Sequence, residues 1–465
     1  MKTKICVSFL LFLVNYNVLQ AQTVLFNNTY GSSAAEAAFS SVLSKDGDYY
    51  TVGWTENTSN GNSDILVIKT NKDGTKVWEK TYGLSDKESG ISILELSNGD
   101  LIIGGSGRSF GTGLSDCLLV RINDKGEEIW SKSYGTTVED YLRKVVELPN
   151  KDLLLCGYTQ AGNGGTNLLA IQLDEDGNII WSDALGGDSD EEGWTVAYDK
   201  MGNSYFGGWS KSTSNNNSDF FLVKKDVEGE TIFEKKFGGS NVDSGLSLLV
   251  EDNHILFAGS TLSYGNGKSD LLLYRLDLEG NIISSETFGS TSDDYCRSIC
   301  KTNNGFCLVG YTTGFNSNAN DVLIVLANEN GYFGEHFVIN EPKDQDAWGV
   351  INTNDNTVLI TARGINPNRS DYDVKLIKYR IGVSETTQES IFNMGLAPNP
   401  ANQLIQISNF KPDAKYEIFG QTGKRFNINT ISQSGIIDIS ELESGLYFLK
   451  VNSNRNVDVL KFIKI

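Results

Sequence analysis

Along most of the chain the apolar residues fall in short runs, alternating or continuous, cut by Gly, Asn, Asp and Ser, and no stretch holds a sustained helical period. Between Gly90 and Tyr134 this pattern predicts four strands, at Gly90 to Leu96, Asp100 to Gly105, Asp116 to Ile122 and Glu128 to Tyr134. Ser97-Asn98-Gly99 and Asn123-Asp124-Lys125-Gly126 join them, with residues that enter left-handed backbone geometry at little cost.

The unit repeats. An aromatic-Gly pair recurs at Tyr30-Gly31, Tyr82-Gly83, Tyr134-Gly135, Phe237-Gly238 and Phe288-Gly289, with Leu185-Gly186 between, at intervals of 51 or 52 residues. An Asp opening an apolar strand recurs in the same register at Asp64, Asp116, Asp219, Asp270, Asp321 and Asp373, with Asn167 in the remaining place. A Gly closing a strand recurs at Gly53, Gly104, Gly157, Gly208, Gly259 and Gly310, with Ala362 in the seventh copy. Seven four-stranded units of this length predict an all-β chain built on a seven-bladed β-propeller over residues 22–381. The seventh copy stops after Asp373 to Tyr379 and lacks its fourth strand, while Val24 to Tyr30 is a fourth strand without a preceding blade. Pairing the two closes the ring and leaves no open edge there.

Both ends read as address labels. Lys2 and Lys4, the apolar run Ile5 to Val14 and the polar stretch to Ala21 form a secretory signal peptide over residues 1–21, and no later run is long enough to span a bilayer as a helix. Residues 382–394 read as a linker, and residues 395–465 as a separate small β-sandwich. That tail orders Leu396-Ala397-Pro398-Asn399-Pro400-Ala401, a strand at Gln403 to Ile407, a Gly-containing turn at Gly420 to Lys424 with Gly423, and Gly445-Leu446-Tyr447 near the end. It resembles the type A sorting domain of the type IX secretion system. The resemblance implies that Pro398, Asn399, Pro400, Gly423, Gly445 and Tyr447 belong to the sorting motif, that the type IX machinery is a partner, and that the mature protein, exported through the periplasm, is released or held at the cell surface. The repeats resemble the bacterial SBBP-type β-propeller repeat, which implies the fold and carries no agreed catalytic residues.

The net charge is −20, and because the segments outside residues 22–381 sum to a small positive value, the acidic excess falls on the repeats. A broad grip on nucleic acid or anionic lipid is excluded. Part of the excess is a carboxylate five places after each marker Gly, at Glu36, Glu88, Asp140, Glu191, Asp243 and Asp294, with Asp346 in step. These lie toward the channel mouth, and recurrence in every copy favours a structural role, as acceptors for loop amides, over a cation-attracting ring.

Departures from the repeat are the better ligand candidates. Arg143 and Arg297 share a position held elsewhere by Phe39, Ile91, Trp194, Leu246 and Gly349. Trp54, Tyr158, Trp209 and Tyr311 follow the marker Gly, where other copies have Gly105, Ser260 and Arg363, and suit sugar stacking as well as rim packing. Five cysteines remain after the signal; each reads as a small buried residue, although Cys300 and Cys307 face each other across a hairpin at bridging distance in sequence. The two histidines make no metal-ligand spacing with them, and no nucleophile elbow, zinc-protease or phosphate-loop motif is present, so no catalytic residue, metal or cofactor is assigned. The expected function is an exported ligand-binding or interaction module for carbohydrate or a surface protein. The alternative is a secreted polysaccharide hydrolase or lyase using acid pairs such as Asp293-Asp294 at the channel.

Overall fold

A computed structural model describes residues 23–58, 62–111, 114–160, 165–212, 217–317, 319–381, 395–397, 401–408, 415–420, 424–430, 435–453 and 456–465. The signal peptide, the linker, and Pro398, Asn399, Pro400 and Gly423 lie outside them.

Seven antiparallel four-stranded sheets follow one another along the chain as blades 1 to 7. Their first strands are Glu36–Leu43, Glu88–Glu95, Asp140–Glu147, Glu191–Tyr198, Asp243–Val250, Asp294–Thr302 and Gln345–Asn352. Each first strand touches the first strand of the next blade, and the seventh touches the first, so these strands form the inner wall of a closed ring. Blade 7 takes its fourth strand from the N-terminal end: Val24–Tyr30 pairs antiparallel with Tyr372–Arg380, in a register that sets Tyr30 opposite Val374.

Strands buried on both faces explain the continuous apolar runs, and the burial lies between blades. One apolar cluster fills each interface, for example Val52, Ile65, Val67, Ile103 and Val120 between blades 1 and 2. The last such cluster, with Tyr30, Ala38, Tyr49, Leu66, Leu359 and Leu376, joins blade 7 to blade 1. The Tyr of the aromatic-Gly pair adds a bond across the interface: the Tyr82 hydroxyl donates to the Gly126 carbonyl at 2.8 Å, and Tyr134 to Gly177 at 2.8 Å.

The marker Gly and the two acid series belong to one joint. A Cβ at Gly83 would fall 2.3 Å from Asp64 Oδ1 and 2.8 Å from Glu88 Oε2, so two carboxyls face each other across a backbone with no room for a side chain. The same arrangement sets Asp116 against Asp140 at Gly135 and Asp270 against Asp294 at Gly289. Glu36, Glu88, Asp140, Glu191, Asp243 and Asp294 are at most 2% exposed. Each accepts from the amide four residues earlier, as in Leu84 N to Glu88 at 3.0 Å, Gly187 N to Glu191 at 2.7 Å and Gly239 N to Asp243 at 2.8 Å. Asp346 is not the seventh of the set. That register place belongs to Gln345, whose amide faces Asp321, and Asp346 stands one residue on, where it accepts from Arg363 at 2.8 Å and from the Trp348 indole at 2.8 Å. An amide also replaces an acid in blade 3, where Asn167 faces Glu191, and Arg369 offsets Asp373 beside Glu36. Burial followed by the neighbouring carboxylate raises the carboxyl of Asp64 beside Glu88, and Asp219 beside Asp243 is pushed up to about 6.

Two further register corrections follow from the pairing. The strand-closing Gly of blade 2 is Gly105, opposite Gly90, so Ser106 takes the place of Trp54; and Trp348, not Gly349, holds the place of Arg143 in blade 7. Cys300 and Cys307 are directly opposite each other as buried free thiols.

The C-terminal strands make a three-stranded sheet and a four-stranded sheet around Ile405, Ile407, Ile418, Leu449, Val451 and Phe462. Tyr447 is buried there, stacked on Phe462 with ring centroids 5.6 Å apart, two residues after Gly445 opens its strand.

Removing residues 23–30 uncovers one side of the Tyr372–Arg380 strand and part of an interface core, and is expected to lower the melting temperature of the propeller by about 10 °C; an unchanged melt by calorimetry contradicts the closure. Asp219 holds its proton in the folded state to about pH 6 against an ordinary value of 3.8. Its contribution to stability is therefore full below about pH 4 and lost as pH rises through 6. Asp219→Asn should raise the melting temperature by about 2 °C at pH 7.5 and leave it unchanged at pH 3.5; a lower melt at pH 7.5 contradicts the assignment.

Candidate functional site

Every first strand carries a β-bulge after its third residue, at Phe39, Ile91, Arg143, Trp194, Leu246, Arg297 and Trp348 in blade order. A bulge inserts an unpaired residue and re-aims its side chain. It also brings a carbonyl close to the second strand: a Cβ at Gly157 would fall 1.9 Å from Tyr141 O, which accounts for the strand-closing Gly.

Because the first strands are neighbours around the ring, successive bulge residues meet. The Arg143 guanidinium carbon lies 4.2 Å from the centre of the Trp194 ring and 5.3 Å from that of Tyr158, and Tyr158 stacks on Tyr141 at 5.0 Å. Two aromatic faces hold the cation without neutralising it. Its Nε is buried and meets no protein acceptor. Glu192, on the following blade, accepts from Trp194 Nε1 at 3.2 Å, and burial raises its pKa against the opposing pull of Arg143. Burial likewise pushes the Tyr158 hydroxyl up to about 12, which keeps it a neutral donor.

Arg143 also borders a cavity of about 420 Å³ that runs across blades 1 to 3. Trp54 closes one side, Tyr141 and Tyr158 the other, and Lys87 and Arg108 stand at the rim with the hydroxyls of Ser89 and Ser106 between. The loop carrying Lys87 is fixed by a parallel bridge to Ser63 of blade 1. Arg108 faces Glu139 at 3.9 Å, a long contact between exposed groups and so a weak one. Glu88, although adjacent, is occupied by the amides of Leu84 and Ser109. Beside the exposed carboxylate of Glu56, this wall therefore presents three cations.

Of the six ligand candidates, Trp54, Arg143 and Tyr158 meet in this cavity. Arg297 and Tyr311 stand three blades further on with Tyr295 and Trp348, and Trp209 lies in blade 4, with the Lys211 ammonium 5.6 Å from its ring centre. Sequence reasoning passed over Trp194 and Trp348, although both share the register of the two arginines; an Arg followed by a Trp one repeat later, twice, was the available signal. Lys87 and Arg108 lie in loops without repeat meaning and gave none. Among the described residues, no group of three or more His, Cys, Asp or Glu side chains is placed to hold a metal ion, and no helix is long and apolar enough to cross a membrane.

No curated protein matches the chain in sequence. Similar solved structures include PorZ, a surface component of the type IX secretion system of Porphyromonas gingivalis, at 12% identity and TM-score 0.43 over 90% of this chain and 58% of that one. The Neurospora crassa Pan2 WD40 domain is similar at 9% identity and TM-score 0.48, over 77% of this chain and 95% of that one. The propeller domain of the trilobed protease from Pyrococcus furiosus is similar at 10% identity and TM-score 0.45, over 74% and 93%. This chain thus spans less than two thirds of PorZ, and each likeness concerns the fold alone. Residues 396–465 match the secretion system C-terminal sorting domain, and the β-propeller therefore carries a type IX export signal that directs it to the outer surface or the medium.

Proposed function

We propose that the protein is an exported carbohydrate-binding propeller that takes an anionic saccharide, carboxylated or sulfated, into the cavity across blades 1 to 3. The observation that carries the reading is Arg143: a guanidinium on the cavity wall, held between Trp194 and Tyr158 and in no ion pair with a described residue. A carboxylate or sulfate in the cavity accepts from the terminal guanidinium nitrogens, and guanidinium geometry suits either. Trp54 offers a half-buried face for a pyranose ring, the serine hydroxyls meet sugar hydroxyls, and Lys87 and Arg108 steer the anion inward. In this reading residues 1–21 direct the chain through the periplasm, residues 22–381 form the binding ring, residues 382–394 link it to the tail, and residues 395–465 engage the type IX machinery.

The test is a titration of the purified protein with a galacturonate tetrasaccharide, a sulfated tetrasaccharide and a neutral glucan, with a reducing-end assay alongside. Binding is expected for one of the anionic sugars and not for the glucan, weakened about tenfold by Arg143→Gln and weakened by raised salt. Absence of binding to both anionic sugars overturns the proposal, and release of new reducing ends favours the hydrolase or lyase instead.

A further inference from the structure

Building on that reading, we infer that blades 4 to 6 hold a second site for the same anionic saccharide, related to the first by a rotation of three blades. The strand registers align the two sets position by position. Trp209 takes the place of Trp54, Ser244 and Ser260 those of Ser89 and Ser106, and Tyr295, Arg297 and Tyr311 those of Tyr141, Arg143 and Tyr158. All six are identical in type. The supporting tryptophan is repeated as well, since Trp348 follows Arg297 as Trp194 follows Arg143.

The internal geometry repeats with the residues. The Arg297 guanidinium carbon is 4.3 Å from the Trp348 ring centre, against 4.2 Å for Arg143 and Trp194. Tyr295 and Tyr311 stack at 4.7 Å and 22°, against 5.0 Å and 25° for Tyr141 and Tyr158. The Ser260 hydroxyl accepts from Cys296 N at 3.0 Å, as the Ser106 hydroxyl accepts from Leu142 N at 3.2 Å. Arg297 Nε, like Arg143 Nε, is buried without a protein acceptor. Packing does not demand this set, because the other five blades fill the same bulge with Phe39, Ile91, Trp194, Leu246 and Trp348 and form the ring equally well. A guanidinium placed twice in the same aromatic frame, bonded to no carboxylate although Glu192 and Asp346 act on it from the following blade, suits the same kind of anion twice.

The rims differ, and the difference sets the affinities apart. Lys87 and Arg108 are replaced by Val242 and Leu262, which are 43% and 42% exposed. Glu56 is replaced by Lys211, which is tied to Asp190 at 2.9 Å. With Lys211 neutralised by Asp190, the second site keeps the guanidinium and the Trp209 face but loses two rim cations and one acid, a net of one positive charge, so it binds the shorter sugar more weakly and with a shallower salt dependence. A chain long enough to reach both sites gains avidity from the pair.

Calorimetric titration of the full chain with the galacturonate and the sulfated tetrasaccharide separates the outcomes. Two sugars per protein are expected for the carboxylated or the sulfated probe, the weaker site being the less sensitive to salt. Arg297→Gln should leave one site, the tighter; Arg143→Gln should leave the weaker; the double variant should bind none. Trp209→Ala, which spares the Arg297 and Trp348 stack, should also abolish the weaker site, so that a folding defect at Arg297 does not decide the matter. One sugar per protein, unchanged by Arg297→Gln or Trp209→Ala, overturns the second site and leaves the first standing. No binding of either probe overturns both.

Discussion

Each blade is a sheet with two apolar faces, and neither face is stable in water alone. Everything in the propeller depends on covering both faces of all seven blades, which a linear stack cannot do and a ring can. The requirement falls hardest where the chain begins and ends: the Val24–Tyr30 strand completes blade 7, and Tyr30 enters the core that joins that blade to blade 1. The apolar runs, their spacing and the strand left over at the N-terminal end are consequences of that one constraint.

Closure also places the functional surface. Once the first strands stand side by side, the bulge in each re-aims one residue, and Arg143 meets Trp194, Arg297 meets Trp348 and Trp348 meets Phe39 on the next blade. Five of the bulge residues are apolar or aromatic and serve the ring. The two arginines serve it no better than Ile91 or Leu246, and each is held between aromatic rings instead of being paired with a carboxylate. The repeat thus acts as its own control, since what every blade shares belongs to the scaffold and what two blades share against five belongs to the ligand.

Most of the fold was legible in the sequence because its markers have separate physical causes that coincide in one register. The marker Gly admits no Cβ between Asp64 and Glu88, the aromatic before it reaches the next blade, and the strand-closing Gly makes room for a bulge carbonyl. The register slipped where neighbouring residues offered two choices: Gly104 and Gly105 in blade 2, Gln345 and Asp346 in blade 7. Only strand pairing distinguishes them, and in blade 7 the joint tolerates an amide because it needs a hydrogen-bond donor as much as a second charge. The cavity was less legible. Trp54, Arg143 and Tyr158 lie in two blades that are not adjacent in the ring, and Lys87 and Arg108 enter from the blade between them. Trp194 was visible as a residue but not as the support beneath Arg143, because sequence register does not state which bulge residues touch.

The central claim is that Arg143 is held open for an anion from outside the protein. The crystal structure of the protein with a bound anionic tetrasaccharide tests it directly. A carboxylate or sulfate oxygen is expected within hydrogen-bond distance of a terminal guanidinium nitrogen of Arg143, with a sugar ring against Trp54. A saccharide bound elsewhere on the ring, with no oxygen against the Arg143 guanidinium, would contradict it.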